Sequence, residues 1–477
     1  MDKYNKKLKN EFIIIKNISD EGSENLSITD KNKMTFYYKD KKFIIETLEK
    51  INTNPSKFRF ENINNKEVIL EKDLKIKVLD SIISSSSLTS KFTINKFSSL
   101  DFSEDDKLFY RLVISNVDIK NIRYEFYFNN LIHINNRYFE GIEFTMYKYT
   151  FQIYTLDDFF IIESLDKIDY KQFDKYARGI LGAFGFITGF VPMDYGYYFT
   201  YDKYNENSKT FLYASDFLDT YKSNYSIVDL NAQNYYQHQD LDLSFEDRIF
   251  KDDSRIEELK ALLKPITKDI FENLCTKIID NEQFSEIIYG LLSVNNANLN
   301  KVTLVLKGGL YSIILEMLTS LITNENKDKL YTITDKKMRK EFKNKLNNLA
   351  ENFFISHDLG DYNKSYIKAK ISNINAQTNA DKLKAPFQIL SIELNENEEQ
   401  IIKYRNDFLH GRNPYENKEL EEQFKNLLYI TLELNFLVNA LILKYIGYDG
   451  VVKNLSKIYL DYKEIDFLSS ETYFKKI

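Results

Sequence analysis

A chain of 477 residues with 43% hydrophobic content is long enough for two or three full cores and too apolar to be disordered throughout. Its formal net charge of −6 excludes a surface that is basic all over, so any nucleic-acid contact must be a local patch. A single cysteine, Cys275, excludes an intramolecular disulfide, and four scattered histidines give no zinc-ligand spacing, so neither a metal nor a cofactor is expected.

Met1 to Lys7 leads into no apolar run of signal-peptide length, which makes a cytoplasmic protein the expectation. The apolar stretch from Gly179 to Met193 is short and contains Pro192, and Leu427 to Ile446 includes Glu433, Asn435, Asn439 and Lys444. The first is too short to span a membrane and the second reads as a buried helix, so no membrane partner is expected. From Phe12 to about Tyr201 the chain is mostly short runs of β-branched and aromatic residues. Examples are 34–38, 41–45, 126–128, 144–154 and 159–162. Runs of this kind point to an antiparallel sandwich or barrel. Ser84 to Ser87 reads as a loop or a weak strand edge. One helix interrupts the pattern, from about Tyr170 to Phe190, with glycines at 179, 182, 185 and 189 near one face, where a second element can approach closely.

Around Asp240 to Asp253 the composition turns acidic, and beyond it the apolar spacing becomes helical. The boundary is placed there: residues 1–240 form a β-rich domain and residues 241–477 an all-α domain, an α+β protein. The expected helices cover about 256–266 (broken near Pro265), 284–294, 311–321, 335–353, 364–382, 395–410 and 417–446. Between Lys327 and Lys384 thirteen Lys or Arg face seven Asp or Glu, so this window carries +6 while everything else sums to −12. Within it, Lys336, Lys337, Arg339, Lys340, Lys343 and Lys345 surround an apolar line of Met338, Phe342, Leu346 and Leu349. This is the first choice for an RNA-backbone track.

The segment Arg405-Asn406-Asp407-Phe408-Leu409-His410-Gly411 carries the chemistry. Asn395 or Asn397 can cap its helix, with Glu398 three residues after Asn395 completing a capping box, and Gly411 followed by Pro414 stops it at His410. At 100° per residue, Tyr404, Phe408, Ile401, Leu409 and Ile402 form one apolar arc with Arg405 in its middle, while Asn406 and His410 lie on the other side. A guanidinium in an apolar stripe needs an anionic partner, a rim position or a second subunit. Asn406 and His410, an i, i+4 pair, can hydrogen-bond, and carbonyl dipoles at the helix end favour an imidazolium. A histidine there can move protons near neutral pH, and an arginine can steady an anionic phosphorane, without a metal.

This segment resembles the R-x4-6-H signature of HEPN-superfamily ribonucleases, and a helical domain behind a β-rich one is similar to the ApeA-like HEPN proteins of anti-phage defence. The resemblance implies a HEPN-like helical bundle with metal-independent endoribonuclease activity used in abortive infection. It further implies a homodimer through the helical domain and a phage-derived trigger at the N-terminal domain. Carried over, Arg405 and His410 match the catalytic positions and Asn406 the supporting polar one, with Tyr404 and Phe408 in the core or interface. His133, His238 and Cys275 read as structural, and His357 as a minor second candidate. The competing expectation is a non-catalytic interaction protein, with a helical dimerisation domain and a β domain that binds a protein or carbohydrate.

Overall fold

The computed structural model describes residues 3–19, 25–29, 32–39, 42–47, 67–69, 75–85, 90–114, 128, 131–134, 139–156, 159–191, 196–203, 210–214, 221–222, 266–296, 304–326, 333, 335–357, 360–372, 379–454, 456 and 474–477. Contacts divide the chain into two units: Met1–Val228 with Pro265–Asp280, and Asp229–Lys264 with Asn281–Ile477. The α+β organisation is present, a large antiparallel sheet in the N-terminal part and a helical C-terminal region. The expected boundary near residue 240, His238 and the expected helix over 256–265 lie outside the described residues.

The first unit opens with helix α1 (Lys3–Ile18), where a β-type run from Phe12 was expected. Tertiary contacts override the strand preference of Phe12-Ile13-Ile14-Ile15. Ile15 and Ile18 are buried, Phe12 stacks on Phe159 at 4.1 Å, and the Glu11 carboxylate accepts from Arg111 Nη1 at 3.1 Å. Arg111 also donates to Glu163 at 2.7 Å and to the Tyr201 hydroxyl at 2.9 Å, so this buried guanidinium ties α1 to three strands.

Thirteen strands, among the described residues, form one antiparallel sheet. Its central strands β7 (Phe109–Ile114), β13 (Gly196–Tyr201) and β14 (Thr210–Ala214) are covered on both faces. Val113, Tyr197, Phe199 and Tyr213 share a core with α1 residues Ile15 and Ile18. On the other face Tyr110 stacks on Phe173 of helix α2 (Tyr170–Thr188) at 5.2 Å. Burial on both faces is why these strands read as continuous apolar runs rather than alternating ones. β6 (Ser90–Ser99) bonds to β5 (Lys75–Ser85) along one edge, and to β3 (Lys42–Thr47) and then β14 along the other.

The run 144–154 is two strands, not one: β9 (Phe139–Met146) turns at Tyr147 and Lys148 into β10 (Tyr149–Leu156). Tyr147 takes φ +55 without the glycine or asparagine that normally marks such a turn, so the sequence hides it. Of 126–128 only Phe128 is described, as an isolated bridge to Ile266. Helix α3 (Lys268–Asp280) belongs by contact to this unit. Its Phe271 packs edge-on against Phe144 at 5.1 Å, and Gly179 of α2 leaves room for Ile279, whose Cγ1 lies 2.4 Å from where a Cβ would stand.

The second unit contains α4 (Glu282–Asn296), α5 (Leu304–Glu325), α6 (Lys336–His357), α7 (Asp361–Ser372), α8 (Asn379–Ile389), α9 (Glu396–Leu409) and α10 (Leu420–Tyr445). Two short strands, β16 (Val451–Lys453) and β17 (Phe474–Lys476), pair antiparallel in the same unit. α5 and α10 are long and apolar enough to cross a membrane, but α10 is buried from Asn426 to Leu443, as expected of a core helix. Two expectations are corrected. α5 begins seven residues before Tyr311 and runs through Gly308 and Gly309, and the helix expected over 364–382 is two helices, α7 and α8.

Candidate active site

Local sequence fixes the motif helix α9 at both ends. Asn395 caps it in the extended conformation, its Oδ1 accepting from Glu398 N at 2.9 Å while Glu398 Oε2 accepts from Asn395 N at 2.8 Å. The buried Glu398 carboxylate is also gripped by Lys475 of β17 at 2.5 and 2.6 Å. At the other end Gly411 adopts φ +65, and Arg412 N donates to Asp407 O at 2.8 Å and Gly411 N to Phe408 O at 3.0 Å. These two bonds close a Schellman motif immediately past His410. The following turn is pinned to α10, since Asn413 Nδ2 donates to Gln423 Oε1 at 2.7 Å.

The apolar arc of α9 packs on α5. The Phe408 ring lies over Gly308, where an added Cβ would stand 3.0 Å from ring carbons, and the Phe408 carbonyl oxygen lies 3.3 Å from the corresponding point on Gly309. At both positions an added Cβ would crowd Phe408, so glycine lets the two backbones come this close without a shift. That approach carries Arg405 to Glu316 of α5, with which it forms an ion pair. The Arg405 side chain is 13% exposed, and its buried Nε has no hydrogen-bond partner among the described residues. The anionic partner that its place in the apolar arc demanded is therefore Glu316.

His410 stands exposed at the helix tip. Five residues on, it lies about 140° round the helix from Arg405, so within one copy the two side chains leave α9 in different directions. Asn406 is exposed, and among the described residues its side chain makes no hydrogen bond to His410; only the backbone bond from His410 N to Asn406 O, 3.3 Å, joins them. Tyr404 is half-buried with its ring 5.6 Å from that of Tyr415. Burial, then the hydrogen bond with Tyr404, pushes the Tyr415 phenol well above its usual range.

Glu316, the Gly308–Gly309 pair and Tyr415 were not identified from sequence. The available signals were a lone carboxylate within an apolar run and two adjacent glycines inside a helical pattern. Next to that pair Lys307 is buried, and burial lowers its amine to about 8.

On α6, Lys336, Lys337 and Lys340 are exposed and Arg339 and Lys343 are half-buried, with Lys343 Nζ donating to the Ser372 carbonyl of α7. His357 is accounted for locally: its ring stacks on Phe353 at 4.1 Å, and its Nδ1 lies 2.7 Å from Ser356 Oγ. His133 sits in β8 (Leu131–Ile134), opposite Glu140. Cys275 is buried in α3, and burial pushes its thiol well up, which makes it a core residue rather than a nucleophile. Among the described residues, no group of three or more His, Cys, Asp or Glu is placed to hold a metal ion. No family profile, curated protein or solved structure matches this chain.

Proposed function

We propose that this protein is a metal-independent endoribonuclease of the HEPN type, acting in anti-phage defence by abortive infection. The observation that carries the reading is Arg405. A guanidinium is held nearly buried between two helices, anchored by one carboxylate, five residues before an exposed histidine at a helix tip. In the proposed reaction a base takes the 2′-hydroxyl proton and the 2′-oxygen attacks phosphorus. The 5′-oxygen leaves with a proton from an acid, giving a 2′,3′-cyclic phosphate and a 5′-hydroxyl. His410 serves as acid or base, Arg405 binds the phosphate and Asn406 supports the histidine.

One imidazole cannot fill both proton-transfer roles at once, so the reading includes a homodimer through the helical domain, with a histidine from each copy. Exposed apolar residues beside the motif support this. Leu306 and Ile313 share a face of α5 with Gly309 and Glu316, and Leu420 and Phe424 stand exposed at the start of α10. Lys336, Lys337, Arg339, Lys340 and Lys343 of α6 are the proposed backbone track for RNA, and the sheet unit is the proposed place for a phage-derived trigger.

The same exposed residues, with Arg405 and His410 pointing apart in one copy, favour a second reading. In it the protein is non-catalytic, with a helical unit that assembles and a β unit that binds a protein or carbohydrate. Arg405→Ala and His410→Ala separate the two. Loss of RNA cleavage and of host toxicity, with the fold retained by circular dichroism, supports the nuclease; unchanged behaviour of both variants supports assembly alone.

A further inference from the structure

α6 is a 22-residue helix in which Phe354 is the buried side chain. Of its apolar line, Met338 is 60% exposed, Phe342 41% and Leu349 67%, with Leu346 half-buried, and Phe353, one turn further on, is 51% exposed. This line is about 22 Å long at 1.5 Å per residue. α7 runs antiparallel beside it, as the Lys368–Glu351 ion pair and the Lys343–Ser372 bond establish. It carries Tyr366, 55% exposed, with the Lys370 ammonium 5.3 Å from its ring centre. Six Lys or Arg against two Glu on α6, and three Lys against one Asp on α7, give the hairpin +6 in a chain of −6.

We propose that the α6–α7 hairpin is a capture arm for single-stranded RNA, in which lysines hold the phosphates and bases stack on Phe342, on Tyr366 and on the side of Phe353 away from His357. Stacking tolerates any sequence, and only an unpaired strand offers free base faces. Met338 and Leu349 widen the apolar strip against which bases lie. Charge selects this occupant over two others. Two copies meeting through α6 would bring +4 against +4. A lipid surface would engage one side of the helix, yet the exposed Lys336, Lys337 and Lys340 lie 100° or more round from the middle of the apolar line, where a flexible polyanion can follow them and a flat surface cannot. This inference rests on the ribonuclease reading for its substrate but not on the chemistry at His410.

The test is fluorescence anisotropy of the full chain carrying His410→Ala, with a labelled single-stranded RNA dodecamer and with a duplex of the same length. The expected result is preference for the single strand, at least tenfold weaker binding for Phe342→Ala/Phe353→Ala/Tyr366→Ala, and a shallower salt dependence for Lys336→Gln/Lys337→Gln/Lys340→Gln, by about 0.7 in logarithmic slope for each phosphate no longer neutralised. Melting by circular dichroism checks that the variants fold, and Tyr366→Ala alone, on the shorter helix, repeats the test with minimal disturbance. Unchanged single-strand affinity in folded variants, preference for the duplex, or arm-dependent binding to phosphatidylglycerol vesicles in place of RNA would overturn the proposal. RNA cleavage by the wild type, measured separately, tells the two readings apart: cleavage without arm-dependent binding rejects the arm alone, and arm-dependent binding without cleavage rejects the nuclease alone.

Discussion

Arg405 and Glu316 lie 89 positions apart and form the ion pair on which the motif's geometry depends. Removing the carboxylate leaves a nearly buried guanidinium unpaired. Glu316 itself is half exposed, so solvent recovers part of the loss, and Glu316→Ala should lower stability by about 1 kcal/mol in urea denaturation. Lys307 gives a second expectation. Burial lowers its folded-state pKa to about 8, below the unfolded value of about 10.4, so the unfolded chain binds more protons between these two values. The contribution of Lys307 to stability should therefore rise with pH across that window, seen as a slope in the difference between wild type and Lys307→Met. The need for a partner at Arg405 was legible because helical periodicity alone places it among Tyr404, Phe408 and Ile401. The identity of that partner was not legible, since nothing local links residue 405 to residue 316.

The ends of α9 were readable because caps are local: Asn395, Glu398 and Gly411 act within four residues of themselves. The start of α5 was not, because Gly308 and Gly309 weaken a helix unless something packs on them. Here Phe408 does, and its packing is testable. Gly308→Val should cost about 2 kcal/mol by forcing the Phe408 ring aside, and combining it with Phe408→Ala should cost less than the sum of the two single changes. The turn at Tyr147 and the helical start of the chain were hidden for the opposite reason. In both, residues of strong β preference adopt conformations that distant partners impose, such as Glu11 with Arg111 and the Tyr147 hydroxyl with Asp280 at 2.5 Å.

At the scale of the whole molecule, the order of a β-rich part and a helical part was legible from the change of apolar period, whereas the sheet's strand order was not. Pairings such as β7 with β13 join segments separated by α2 and several strands. The last strand, β17, reaches back to the motif helix through Lys475, so Lys475→Met should strand the buried Glu398 carboxylate and destabilise the helical unit by about 3 kcal/mol, read by chemical denaturation. Assembly belongs to the same scale. Leu306→Glu with Ile313→Glu should yield a monomer in light scattering and abolish RNA cleavage if each copy supplies one histidine. The central claim, proton transfer by His410 on a phosphate held by Arg405, is tested most directly by the ends of the RNA produced in EDTA. The expected result is 2′,3′-cyclic phosphate and 5′-hydroxyl ends from the wild type and intact RNA from His410→Ala and Arg405→Ala. Cleavage that stops in EDTA, leaves 3′-hydroxyl ends, or persists in either folded variant would contradict it.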